Sequence, residues 1–171
     1  KKFTIINDDG VGISRSRNIA LIHANCDYIW FLDDDIILNR DAILKVKKHI
    51  SRYCADIFTV RMSVIGTDSS YKIYPKKHRL VRSDIISISS VEIIASKEFI
   101  QRSQIKFNEG IGLGTKYPSC EENIFLLDIF DLGGVFIHIP ENVQKHPAIN
   151  RKYLFLNADV LTAKGVFCRR Y

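Results

Sequence analysis

Apolar positions form short runs and helical stripes that alternate with polar turns over the first half of the chain and become less regular afterwards. Phe3 to Ile6 reads as a short strand, followed by the polar turn Asn7-Asp8-Asp9-Gly10. Ser14 or Ser16 is placed to cap a helix reaching about Asn25, with Ile19, Ile22 and Cys26 as its buried stripe. Tyr28-Ile29-Trp30-Phe31-Leu32 is continuously apolar and stops abruptly at three aspartates. Such a run predicts a strand buried on both faces, as in a parallel sheet. Asp41 to Tyr53 reads as a second helix, with Ile43, Val46, Ile50 and Tyr53 on one side. Phe58, Val60, Met62 and Val64 alternate with Thr59, Arg61 and Ser63, the period of a strand.

Beyond these, Tyr71 to Arg82 is a basic loop or edge segment, and Val91 to Ser96 predicts another strand. Phe107 to Pro118 is a glycine-bearing loop. Glu121 to Leu132 predicts a helix stopped by Gly133-Gly134, and Val135 to Ile139 a strand closed by Pro140. From Lys152 the chain reads as helical and ends in Arg169-Arg170-Tyr171. The order of elements predicts an α/β fold: a mixed, mostly parallel sheet flanked by helices. The 171 residues are enough for one core, so residues 1–171 read as one domain with a helical C-terminal extension from about residue 150.

The content of 46% hydrophobic and 26% charged residues is that of a soluble globular protein. No apolar stretch approaches the length of a bilayer span, and Lys1-Lys2-Phe3-Thr4 carries no signal-peptide pattern. The net charge of +6 suits anionic partners without choosing among nucleotide phosphates, nucleic acid and an acidic membrane face. Cys26, Cys54, Cys120 and Cys168 are widely spaced, which predicts reduced thiols of a cytosolic protein. Lys72, Lys76, Lys77, Arg79 and Arg82 interleave with Tyr71 and Tyr74, but no nucleic-acid motif accompanies them. A solvated loop is the plain expectation; a face for an anionic acceptor or membrane headgroups comes second.

The strongest chemistry lies in Asp33-Asp34-Asp35. Three carboxylates after a buried strand repel one another unless a cation or hydrogen bonds compensate. In an extended backbone Asp33 and Asp35 point the same way, and a hard divalent ion with oxygen ligands suits them. A solvated acidic turn is the alternative. Arg15 and Arg17 near a helix start suit phosphate, although exposed arginines need no function. Ser119 and Glu122 have the spacing of a capping box. Either Glu121 or Glu122 also suits a general base, kept ionised by a helix N-terminus. His138 reads as structural, whereas His146 follows a strand and is the better ligand candidate. Gly110-Ile111-Gly112-Leu113-Gly114-Thr115-Lys116 has the wrong spacing for a phosphate loop and reads as a turning loop beside a substrate.

In this order the segments 12–20, 28–35, 107–114, 121–126 and 140–146 resemble the family 2 glycosyltransferases, enzymes of the GT-A fold. The resemblance implies an inverting transfer from a nucleotide-sugar donor, a UDP-sugar first, to a glycan or lipid-linked acceptor in cell-surface polysaccharide synthesis. It implies Mn²⁺ or Mg²⁺ at Asp33 and Asp35, with His146 beside the metal. Arg17, Arg15, Asn18 and Asp34 would contact the donor. Glu122, supported by Glu121, would be the base, and Gly112, Gly114 and Ser90 would lie on the acceptor side. It implies a cytoplasmic protein, peripheral at most to the inner membrane face, and no nucleic-acid partner. Two departures stand out. The segment opens near the family's third strand, as an N-terminally truncated domain would, and Glu122 replaces the family's usual aspartate. An apolar strand followed by Asp-x-Asp also opens the site of haloacid-dehalogenase phosphatases, with Asp33 as nucleophile and Asp35 as acid/base. A non-catalytic scaffold of transferase shape is the other alternative.

Overall fold

The computed structural model describes residues 4–67, 69–148 and 157–171. Helix α1 (Ile13–His23) leads into β1 (Tyr28–Trp30), β2 (Ile37–Leu38), α2 (Ala42–Arg52) and β3 (Ile57–Val64). A short α3 (Arg82–Ile85) and the 3-10 turn Ser90–Glu92 precede β4 (Ile93–Ser96) and α4 (Lys97–Ser103). Then come α5 (Glu121–Asp131), β5 (Phe136–His146) and α6 (Ala158–Arg170).

Among the described residues the strands form one sheet in the order β1-β4-β3-β5-β2. Only β3 and β5 run parallel; β1 with β4, β4 with β3, and β2 with β5 are antiparallel. The sheet is therefore mixed and mostly antiparallel, which corrects the expectation of a mostly parallel one. That expectation took double burial as a sign of parallel pairing. β3 is buried along both faces because helices cover both, although one of its neighbours is antiparallel.

Side-chain alternation sorts the core into two layers. Ile57, Ile93, Ala95 and Phe136 face a cluster with Ile124, Phe125 and Leu127 of α5. Phe107 stacks on Phe125 there, with ring centroids 4.0 Å apart. Phe58, Ile94 and Ile137 face the other way, onto Ala42 and Val46 of α2.

Several local expectations also change. Thr4 to Ile6 form no strand, and Phe3 lies outside the described residues. The buried residues of α1 are Ser14, Arg17, Asn18 and Leu21, while Ile22 is 76% exposed and Cys26 exposed. β1 is a half-buried edge strand, not one buried on both faces. On α2, Ile43 is exposed and His49 takes a buried place. β5 continues through Pro140, where the β3–β5 register shifts between Thr59 and Arg61. A proline, lacking an N–H, is tolerated at such an irregularity. The four cysteines are free. The predicted helix from Lys152 is present as α6, its first residues lying outside the described ones.

Candidate active site

β1 and β2 lie at opposite edges of the sheet, so the chain between them must cross the sheet's end. Phe31 N–H still donates to the Ile93 carbonyl (3.2 Å), and Ile36 N–H donates to the Asp33 carbonyl (3.4 Å), closing a turn around the aspartates. β2 then pairs with β5, Ile37 opposite Lys145 and Leu38 opposite Gln144. This pairing delivers the last residue of β5, His146, to the acidic turn.

Asp33, Asp35 and His146 each offer a ligand atom, and these atoms all lie within 4.8 Å of one another. His146 Nε2 is 3.9 Å from Asp35 Oδ1. Its Nδ1 is 2.7 Å from the Pro147 carbonyl, an acceptor only, so Nδ1–H donates there and the Nε2 lone pair is left toward the carboxylates. The Tyr71 ring packs edge-on against the imidazole at 5.0 Å. Burial pushes the Asp33 carboxyl up, opposed by Arg17; the Asp35 charge adds to the rise. Two carboxylates and one imidazole are a donor set that fits Mn²⁺ and, less readily, Mg²⁺.

A second cluster surrounds the start of α5. The polar face of α1 meets the glycine loop: Ser14 Oγ donates to the Ile111 carbonyl (2.5 Å) and Ile13 N–H to the Leu113 carbonyl (2.9 Å). Arg17 Nη1 donates to Glu121 Oε1 at 3.0 Å, with each side chain about nine-tenths buried. The Arg17 guanidinium also lies over the Phe107 ring, 5.4 Å from its centroid. Gly112, at φ +114°, passes so close that a Cβ would meet Ser14 Oγ at 2.9 Å and the Glu121 carboxyl carbon at 3.2 Å.

The capping box expected of Ser119 and Glu122 does not form. α5 begins at Glu121, with Cys120 at its N-cap in the left-handed region and no side-chain cap. The Glu122 carboxyl is pushed up, first by burial and then by the neighbouring Glu121 charge; its own backbone N–H and Arg17 oppose the rise without overcoming it. The expected lowering by the helix N-terminus is thus reversed. Arg17 acts electrostatically on both Asp33 and Glu122, which joins the two clusters.

Other expected residues have varied placements. Asn18 clamps the following loop: its Nδ2 donates to the Phe107 carbonyl (2.9 Å) and Glu109 Oε1 (3.0 Å), and its Oδ1 accepts from Phe107 N–H (2.8 Å). Arg15 turns away to an exposed pair with Asp8. Asp34 is exposed within the acidic turn, and Ser90 is half-buried in the 3-10 turn. Gly114, at φ +85°, packs on Gly12, where a Cβ would come within 3.1 Å of the Gly12 Cα. His138 is structural: buried, bonded to Thr59 Oγ1 (2.9 Å), stacked on Tyr74, and pushed down to a pKa of about 4, chiefly by burial. The contact of the Tyr71 ring with His146 and the acceptance by Glu109 from Asn18 were missed by the sequence reading, since nothing local marks either one.

The profile of glycosyl transferase family 2 matches residues 1–120, ending one residue before Glu121. Among solved structures, residues 1–349 of TarS from S. aureus superpose with a TM-score of 0.64 at 17% identity, covering 80% of this chain and 40% of that one. The complex of the same segment with UDP-GlcNAc gives a TM-score of 0.69 at 17% identity, covering 87% and 42%. Its complex with UDP gives 0.64 at 17% identity, covering 84% and 42%. At this identity the likeness shows a shared, GT-A-like fold, and the chain spans about two-fifths of those structures' length. No curated protein matches the chain.

Proposed function

Because the chain belongs to glycosyl transferase family 2, we propose that it moves a sugar from a nucleotide-sugar donor, a UDP-sugar first, to an acceptor hydroxyl with inversion. The observation that carries this reading is the convergence of the neighbouring Asp33 and Asp35 with His146, which is distant from them in sequence, at the end of the sheet. These residues would hold Mn²⁺ or Mg²⁺. Bound there, a divalent ion supplies charge neutralisation for the departing nucleoside diphosphate.

The remaining chemistry falls to the chain's own residues. Glu122 takes the proton of the acceptor hydroxyl. The acceptor oxygen then bonds to the anomeric carbon on the face opposite the diphosphate, and the bond to the diphosphate breaks. Glu121, paired with Arg17, keeps a charged carboxylate beside Glu122 and so raises its basicity. Arg17 and Asp34 would provide the donor side, Asn18 serves it by fixing the 107–109 loop, and Arg15 would join them only by leaving its pair with Asp8. Gly112, Gly114 and Ser90 line the acceptor side.

The acceptor we assign is a glycan or lipid-linked glycan in cell-surface polysaccharide synthesis, at the cytoplasmic side. Exposed Lys76, Lys77 and Arg79 beside Ile73, itself 97% exposed, would support peripheral contact with an anionic membrane face. Among the described residues no helix is long and apolar enough to cross a membrane.

The test is nucleotide release from a panel of UDP-sugars with Mn²⁺. The proposal expects metal-dependent UDP release that Asp35→Ala abolishes. Undiminished release by Asp35→Ala would refute the metal assignment. Phosphate release from a generic phosphoester would instead favour dehalogenase-type chemistry, and no turnover or nucleotide binding at all a scaffold.

A further inference from the structure

Trp30 ends β1 at one edge of the sheet, and Gln144 lies in β5 beside the opposite edge strand. Their side chains nevertheless meet at one atom. The Val91 carbonyl oxygen accepts from the Trp30 indole Nε1–H at 3.0 Å and from Gln144 Nε2–H at 2.8 Å. Trp30 precedes the acidic turn, and Gln144 lies just before His146. The Val91 side chain packs with Met62 and Tyr74, and Ile36, which follows Asp35, packs against the same cluster. Tyr71 packs there too and presents its ring to His146. Both arms of the acidic turn and the approach to His146 are therefore anchored on the Ser90–Glu92 turn.

Gln144 is fully buried, yet its Oε1 has no hydrogen-bond partner among the described residues. An unpaired amide oxygen in the interior lowers stability. An apolar side chain of similar length would fill the space without that penalty. Packing alone therefore does not account for an amide here; what the amide adds is the N–H aimed at Val91.

We propose that Gln144 and Trp30 are positioning residues, acting through the Val91 carbonyl to hold the Asp33–Asp35 turn and His146 at the separation a divalent cation needs. The inference rests on the reading of that triad as the metal site. Partners hydrogen-bonded directly to metal ligands are typically worth about ten- to a hundredfold in affinity; the bonds to Val91 act one step further back, so the lower end of that range is expected.

The test is titration of the full chain with Mn²⁺, followed by electron paramagnetic resonance, for wild type, Gln144→Met and Trp30→Phe, alongside metal-free melting curves. Gln144→Met keeps the volume and removes both the N–H and the unpaired oxygen. It should weaken Mn²⁺ binding about tenfold while the metal-free melting temperature holds or rises. Trp30→Phe keeps an aromatic ring but loses the indole N–H and should weaken binding in the same direction, so it carries the test should Gln144→Met fail to fold. Wild-type affinity in the folded variants overturns the positioning role and leaves the metal site standing, whether or not the melting temperature falls. Absence of Mn²⁺ binding in the wild type overturns the metal reading, and this proposal with it.

Discussion

Burial and charge compete at Glu122, and burial wins. Its carboxyl lies at a helix start and near Arg17, both of which favour the ionised form, yet desolvation and the Glu121 charge raise its pKa above the ordinary 4.5. Two consequences follow from the sign of that shift. The proposed base role needs an ionised Glu122, so kcat/KM should fall as pH drops through the raised value, and Glu122→Gln should cost about 10²–10⁴ in rate. In folding, a raised carboxyl favours the protonated native state. Its stabilising contribution is full below the unfolded value and is lost as pH rises through the folded one. Glu122→Gln should therefore flatten the fall in stability above pH 4.5, as read from urea unfolding at several pH values. An unchanged slope would contradict the burial. Arg17 is tied to Glu121 in a pair about nine-tenths buried. Arg17→Ala leaves that carboxylate unpaired and should cost about 3–5 kcal/mol in denaturant unfolding.

Elements place these residues by means that local patterns show only in part. The acidic turn was legible because an apolar run stops dead at Asp33, and the helix from Glu121 because Gly133-Gly134 ends it. The polar buried face of α1 was not legible. A hydrophobic stripe through Ile19 and Ile22 looked like the inside, but Arg17 and Asn18 take that place by bonding to Glu121 and Phe107, about ninety to a hundred residues away in sequence, a length no local window spans. Pro140 misled for the opposite reason: a proline usually stops a strand, and here a register shift accommodates it. At this scale the glycine loop is a spacer between α1 and α5. Gly112→Ala adds a Cβ at φ +114° and drives it into Ser14 and Glu121. It should destabilise the fold by about 1–3 kcal/mol and lower turnover, both readable by thermal melting and UDP release. Wild-type melting would show that the loop does not wedge the two helices.

At the scale of the molecule, the layering of helices on a mixed sheet was legible, and the sheet's mostly antiparallel character was not. An apolar run reports that both faces are covered without reporting which way the neighbouring strand runs. Among the described residues, three of the four strand pairs are antiparallel. That arrangement matters for function, because β2 returning along β5 is what brings Asp35 to His146. The central claim is that this meeting point grips a cation that in turn holds a pyrophosphate. Calorimetric titration of the full chain with UDP, with Mn²⁺ and then with the metal chelated away, tests it most directly. The account predicts binding heat that requires Mn²⁺ and vanishes in Asp35→Ala. UDP binding of equal strength with metal removed, or in the Asp35→Ala protein, would contradict it.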